Sequence, residues 1–177
     1  MSTPGTVYWF TGLSGAGKST LARLFCERLR RTGAPVLLLD GDELREVFGG
    51  DLGHTRADRL AIASRNGRLC RMIANQGIDV VCATISLFHE CHDWNRRHIE
   101  RYREIHVTAP MHVLESRDKH QLYARARRGE VSDVVGVDID AEEPRTPDLV
   151  IDNGGAASPD DVVDRVWQAL GVESRGA

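Results

Sequence analysis

Val7 to Phe10 is a run of β-branched and aromatic residues ending at Thr11-Gly12, which predicts a strand entering a glycine-rich turn. From Lys18 to Arg31, Leu21, Leu24, Phe25 and Leu29 recur at helical spacing, Arg23, Glu27, Arg28 and Arg30 fall largely toward solvent, and Gly33 with Pro35 stops the helix. Val36 to Leu39 is apolar throughout, as expected of a parallel strand covered on both faces, and closes on Asp40-Gly41-Asp42. Thr55-Arg56-Ala57-Asp58 has the form of a capping box and predicts a helix to Asn75, before Gly77. Ile78 to Thr84 predicts a buried strand, Asp93 to Arg101 a helix, Ile105 to Thr108 a strand, and Pro110 the first residue of a helix reaching toward Asp118. Gln121 to Arg128 is short and basic. Leu149 to Ile151 gives the last strand, and Ser158-Pro159 opens a terminal helix through Leu170, with the residues after Gly171 expected to fray.

Five strands alternating with helices predict an α/β fold, a doubly wound five-stranded parallel sheet with ligands at the carboxyl ends of its strands. A chain of 177 residues is about one domain long, so 1–177 is read as a single domain. The stretch from Gly129 to Pro147 is too long for a simple connection and suggests a mobile lid. Apolar stretches fall far short of the ~20 residues that span a bilayer, and the N-terminus lacks the profile of a secretion signal, so the expected location is cytoplasmic, with no membrane partner. Net charge is −3 with a pI near 6.2, which gives no nucleic-acid footprint and requires any anion site to be local. Cys26, Cys70, Cys82 and Cys91 form no CxxC pair and read as reduced thiols.

Such a local site is written at residues 12–19. Gly12-Leu13-Ser14-Gly15-Ala16-Gly17-Lys18-Ser19 fits G-x-x-x-x-G-K-[ST] between a predicted strand and a predicted helix, the context that motif requires. Its backbone N–H groups would surround a polyphosphate, with Thr20 beside them in the first helical turn, Lys18 reaching the β- and γ-phosphates and Ser19 ligating Mg²⁺. Lysine is scarce here: of 23 basic residues only Lys18 and Lys119 are lysines, so its place in the motif is informative, and no N-K-x-D guanine motif can exist. Asp40 and Asp42 lie at the ligand edge of the sheet, where one carboxylate can approach Mg²⁺ and the other an acceptor hydroxyl, as kinase chemistry requires. A nucleotide-binding regulator without transfer is the alternative of another class.

The ordered set Gly12 to Leu21, Leu39 to Arg45, Asp51-Leu52-Gly53, Asp58-Arg59, Ile85-Ser86, Arg117-Asp118, Leu122-Tyr123, Ala126-Arg127, Gly129-Glu130, Gly136-Val137-Asp138 and Pro147 to Ile151 resembles the adenylylsulfate kinase family over about residues 5–153. The resemblance implies a P-loop kinase fold with a lid over about 117–147, a 3′-kinase acting on adenosine 5′-phosphosulfate with ATP and Mg²⁺, and a homodimer. It further implies Asp42 as catalytic acid or base, Asp40 as metal support, Arg45 and Arg59 on the acceptor's phosphosulfate, and Ile85 and Ser86 in the acceptor pocket. Arg117, with Arg125, Arg127 and Arg128, would act from the lid on the transferring phosphoryl group. Departures gather on the acceptor side. The family's two adenine-sandwiching phenylalanines are matched by His54 and by Val134 within Asp133-Val134-Val135-Gly136, which removes stacking surfaces worth ~1–3 kcal/mol each. Ile62 stands where an asparagine is usual, His120 where a lid lysine is usual with Lys119 displaced by one, and Leu87 replaces a proline. The stretch from Ile85 to Glu90 with Trp94 to Arg97 resembles a divergent branch that includes cytidine diphosphoramidate kinases, so a cytidine diphosphate-type acceptor, with Phe88, His89 or Trp94 near a smaller base, is the alternative. His89, Cys91 and His92 are expected at a loop and helix start lining that pocket, not at a metal.

Overall fold

The structure, a computed structural model, describes residues 3–118, 120–155 and 157–172; Lys119 and the segment beyond Val172, where fraying is expected, lie outside the described residues. Strands β1 (Val7–Thr11), β2 (Val36–Asp40), β3 (Asp79–Thr84), β4 (Tyr102–Thr108) and β5 (Leu149–Asp152) form one parallel sheet in the order β2-β3-β1-β4-β5. The helices are α1 (Lys18–Arg31), α2 (Gly41–Val47), α3 (Arg56–Ala74), α4 (His89–His98), α5 (Met111–Arg117), α6 (Leu122–Arg127) and α7 (Pro159–Ala169). Helices α1 and α7 cover one face of the sheet and α3 and α4 the other, the doubly wound arrangement expected from the alternation of elements. No helix among the described residues is long and apolar enough to cross a membrane.

The two cores follow from the two-residue period of a strand. Tyr8 and Phe10 of β1 enter the α1/α7 core and Val7 and Trp9 the α3/α4 core; β3 divides in the same way, Val81 and Ala83 against Val80 and Cys82. Phe25 of α1 meets Tyr8 edge-on at 4.9 Å and Phe10 at 5.6 Å between ring centroids. All four cysteines are free and buried.

Three expectations change. Strand β2 lies at the sheet edge, where Leu37 is 42% exposed, so its apolar run is covered less than a central strand's would be. Helix α4 begins at His89 and ends at His98, because its inward positions are Cys91, His92 and Asn95 and carry little apolar periodicity; β4 then starts three residues early, at Tyr102. Helix α2 was not expected: Asp40 caps it by accepting from the N–H of Asp42 at 2.9 Å.

Candidate active site

The turn between β1 and α1 is built on positive-φ glycines, Gly15 at φ +78° among them. Gly17, at φ +94°, also has no room for a side chain, since a Cβ would lie 2.3 Å from Nδ2 of Asn153. That amide donates to the carbonyl of Ala16 at 2.8 Å, and the hydroxyl of Tyr123 on α6 donates to the carbonyl of Ser14 at 2.7 Å, so the loop is braced from two sides. Lys18 opens α1, and its Nζ turns back to donate to the carbonyl of Leu13 at 2.8 Å. Burial pushes the ammonium down to about 8, opposed by the nearby carboxylates of Asp42 and Asp40. A polyphosphate seated in the loop would add negative charge beside this cation and restore its proton.

The acids lie where the ends of β2 and β3 meet the loop. The Ser19 hydroxyl donates to Oδ2 of Asp40 at 2.6 Å, while Oδ1 of Asp40 caps α2 and thereby places Asp42 in its first turn. Gly41 lies tight against the end of β3: a Cβ would meet the carbonyl oxygen of Ala83 at 3.1 Å and the Thr84 hydroxyl at 3.2 Å, so these neighbours would have to shift by a few tenths of an ångström. The hydroxyl and carboxylate oxygens of Ser19 and Asp40 form a hard donor set of the kind that suits Mg²⁺.

These groups open on a cavity of about 580 Å³ at the carboxyl ends of β1, β2 and β3. Ser14, Gly15, Gly17, Lys18, Ser19 and Thr20 form its loop side and Asp40 and Asp42 its floor. The remaining wall carries Arg45, Arg59, Ile62, Ile85, Ser86 and Phe88, with Arg117 and Val135 closing the rim. Gly12, Leu13 and Ala16 frame the loop from behind: a Cβ on Gly12 would lie 2.2 Å from the carbonyl oxygen of Val107, Leu13 lends its carbonyl to Lys18, and Ala16 is buried. Arg117 ends α5 and donates to the carbonyl of Asn153 at 3.0 Å, which links the rim to the turn after β5.

Arg45 and Arg59 face the cavity with carbonyl partners. Arg45 donates to the carbonyls of Leu52, at 3.0 Å, and Gly53; Arg59 donates to those of His54, at 2.8 Å, and Asp133, at 2.6 Å. Burial and then the Arg45 charge hold the Arg59 guanidinium below its usual value, so two cations stand near each other where an anion would relieve both. His54 lies behind this pair, with Nδ1 3.4 Å from Arg45, and its imidazole is held below the usual value by burial and by both guanidiniums.

Several expected acceptor residues stand elsewhere. Neither His54 nor His120 lines the cavity; His120 is exposed, its N–H 3.3 Å from Asp118. Val134 is buried in the α1/α7 core and Val135 reaches the cavity instead, because the carboxylate of Asp138 takes the N–H groups of Asp133 and Val134 and fixes which side chain turns inward. His89 and Trp94 face away: His89 bonds the carbonyl of Glu143 at 2.9 Å, and Trp94 stacks on His98 with centroids 4.5 Å apart. The His89, Cys91 and His92 side chains therefore do not line the pocket. Arg125, Arg127 and Arg128 pair with Glu130, Glu115 and Glu130 respectively and do not line it either. Thr84 and Val135 also line the cavity, and Tyr123 and Asn153 brace its loop, although no local sequence signal marks them for it. Tyr123 and Asn153 meet the loop from 109 and 137 residues away, a closeness that only the fold creates.

Comparison with known proteins agrees with this geometry. The family profile described as adenylylsulphate kinase matches residues 4–152. A cytidine diphosphoramidate kinase of Campylobacter jejuni is 36% identical over 166 residues, covering 94% of this chain and 96% of that relative. An adenylyl-sulfate kinase of Paraburkholderia xenovorans is 44% identical over 150 residues, covering 84% and 83%. Among solved structures, the Mycobacterium tuberculosis APS kinase in complex with AMPPNP and APS superposes with a TM-score of 0.87 at 33% identity, covering 96% of this chain and 99% of that one.

Proposed function

The chain belongs to the adenylylsulphate kinase family, and from that premise we propose that it transfers the γ-phosphate of ATP to the 3′-hydroxyl of a nucleotide, with adenosine 5′-phosphosulfate as acceptor and 3′-phosphoadenylylsulfate as product. The observation that carries this reading is a single cavity in which Lys18 and the Ser19, Asp40 and Asp42 oxygens face the Arg45 and Arg59 guanidiniums. The loop N–H groups and Lys18 hold the triphosphate. Asp42 accepts the proton of the acceptor hydroxyl as the new oxygen–phosphorus bond forms and the bond to ADP breaks. Arg117 bears on the charge of the transferring group from the rim, while Arg45 and Arg59 hold the acceptor's anionic tail. Ser19 and Asp40 would hold Mg²⁺, which when bound would neutralise charge on the phosphates. The residues from Arg117 to 147 act as the lid.

A coupled ADP-release assay tests this reading. Acceptor-dependent turnover that Asp42→Asn abolishes is the expected result, and tight ATP binding without turnover identifies a regulator instead. One observation favours a second acceptor. The cavity wall carries one aromatic ring, Phe88, among Ile62, Ile85 and Val135, which suits a smaller base, and a cytidine diphosphate derivative is assayed beside adenylylsulfate for that reason. Preference for the pyrimidine would replace the default acceptor.

A further inference from the structure

The segment that carries Ile85 and Ser86 into the cavity holds a conformation its own sequence does not favour. Ser86 has φ +27°, a region that residues with a side chain enter only when their surroundings keep them there. Three contacts do so. The Thr11 hydroxyl donates to the carbonyl of Ile85 at 2.6 Å, the hydroxyls of Thr84 and Ser86 pair at 2.8 Å, and Nε2 of His92 lies 2.7 Å from the carbonyl oxygen of Ser86. A carbonyl oxygen only accepts, so Nε2 carries the hydrogen.

The surroundings of His92 agree with that tautomer. His92 is 5% exposed, and its Nδ1 has no hydrogen-bond partner. Glu104, brought to the same face by the alternation of β4, lies 4.0 Å from Nδ1, too far for a hydrogen bond. Its carboxylate is held instead by the Tyr102 hydroxyl at 2.9 Å and by Arg96 at 3.4 Å, so it does not depend on a hydrogen from Nδ1. Burial, and more weakly His89 and His106, hold the imidazole below its usual value against Glu104 and the Ser86 carbonyl, which keeps it neutral near pH 7.

Resting on the kinase reading above, we propose that His92 is a positioning residue for the acceptor: its Nε2–H holds the Ser86 carbonyl and keeps Ile85 and Ser86 turned into the cavity. His92 touches no substrate and acts through the backbone it holds. The phosphate loop has its own braces in Tyr123 and Asn153, so loss of the His92 hydrogen bond acts on the acceptor and spares ATP.

The test compares His92→Leu with His92→Gln, whose amide can donate across a similar reach. His92→Leu is expected to raise the acceptor KM about tenfold, the value of one hydrogen bond, with the ATP KM within about twofold of wild type, and His92→Gln to recover most of the loss. In a Ser86→Gly background, where the positive φ needs no support, the same Leu substitution should cost clearly less. An unchanged acceptor KM in a folded His92→Leu protein, a parallel rise in both KM values, or a Gln variant as impaired as Leu would overturn the proposal. Absence of wild-type turnover with every nucleotide acceptor would sink the kinase reading alone. Nitrogen-15 NMR of the wild-type imidazoles then decides the positioning: a His92 proton on Nε2 that exchanges slowly supports it, and a proton on Nδ1 only refutes it. The same measurement serves if His92→Leu does not fold.

Discussion

In the proposed kinase Lys18 is the cation of the donor side, and its environment makes a pH prediction with a definite sign. Its ammonium titrates at about 8 in the folded chain against 10.5 when free, so the unfolded chain holds the extra proton between those values and stability rises with pH across that window. Nucleotide binding runs the other way. As pH rises through about 8 the free site loses its cation, ATP affinity falls, and binding takes up a proton. Titration calorimetry in buffers of different ionisation enthalpy would read that uptake, and Lys18→Arg should abolish it because guanidinium stays charged. Lys18→Ala should lower kcat/KM by at least about 100-fold, roughly 3 kcal/mol of transition-state stabilisation, in the ADP-release assay. Near-normal turnover would contradict the assigned donor site.

At the scale of elements, what could be read from the chain depended on whether apolar periodicity and capping agreed. Helix α1 matches its expected span because Leu21, Phe25 and Leu29 form one buried stripe, and the first turn of α7 is fixed by Ser158 and Asp161, which complete a capping box behind Pro159. That box gives a stability prediction independent of catalysis. Ser158→Ala should cost about 1 kcal/mol, lowering Tm by about 2–4 °C in a chain of this size while leaving turnover unchanged. A melting temperature equal to wild type would mean that water satisfies the freed N–H groups equally well. Where periodicity was weak, legibility failed. Helix α4 buries polar groups, and α2 is too short to show a stripe, although Asp40 followed three residues later by Glu43 has the form of a helix start and could have revealed it. Strand β2 shows the opposite limit: its apolar run reports β structure but not whether the strand is central or at the edge.

For the whole molecule, the donor half of the cavity was legible because it is local, eight consecutive residues whose spacing is itself the geometry. The acceptor half is assembled from α2, α3, the end of β3 and the turn at Val135, so which of two adjacent valines faced inward depended on Asp138 capping that turn, a contact that spacing does not encode. The same long-range assembly couples the segment after α5 to the proposed phosphate loop. Tyr123 bonds the carbonyl of Ser14, and Gly136, at φ +90°, packs so closely on Leu13 that a Cβ would lie 2.9 Å from its Cδ2. Opening this segment therefore withdraws support from the phosphate loop, and a nucleotide that needs the loop must resist the opening. Trypsin makes that coupling measurable, since cleavage after Arg125, Arg127 or Arg128 requires the six-residue helix α6 to open first. If opening and nucleotide binding exclude each other, an ATP analogue at 100 times its Kd can slow cleavage by up to about 100-fold, and at least tenfold protection is expected. Tyr123→Phe should reduce the protection, because it removes the one hydrogen bond from α6 to the loop among the described contacts. Equal cleavage with and without the analogue would mean that residues 117–147 move independently of the bound nucleotide and do not serve as its lid.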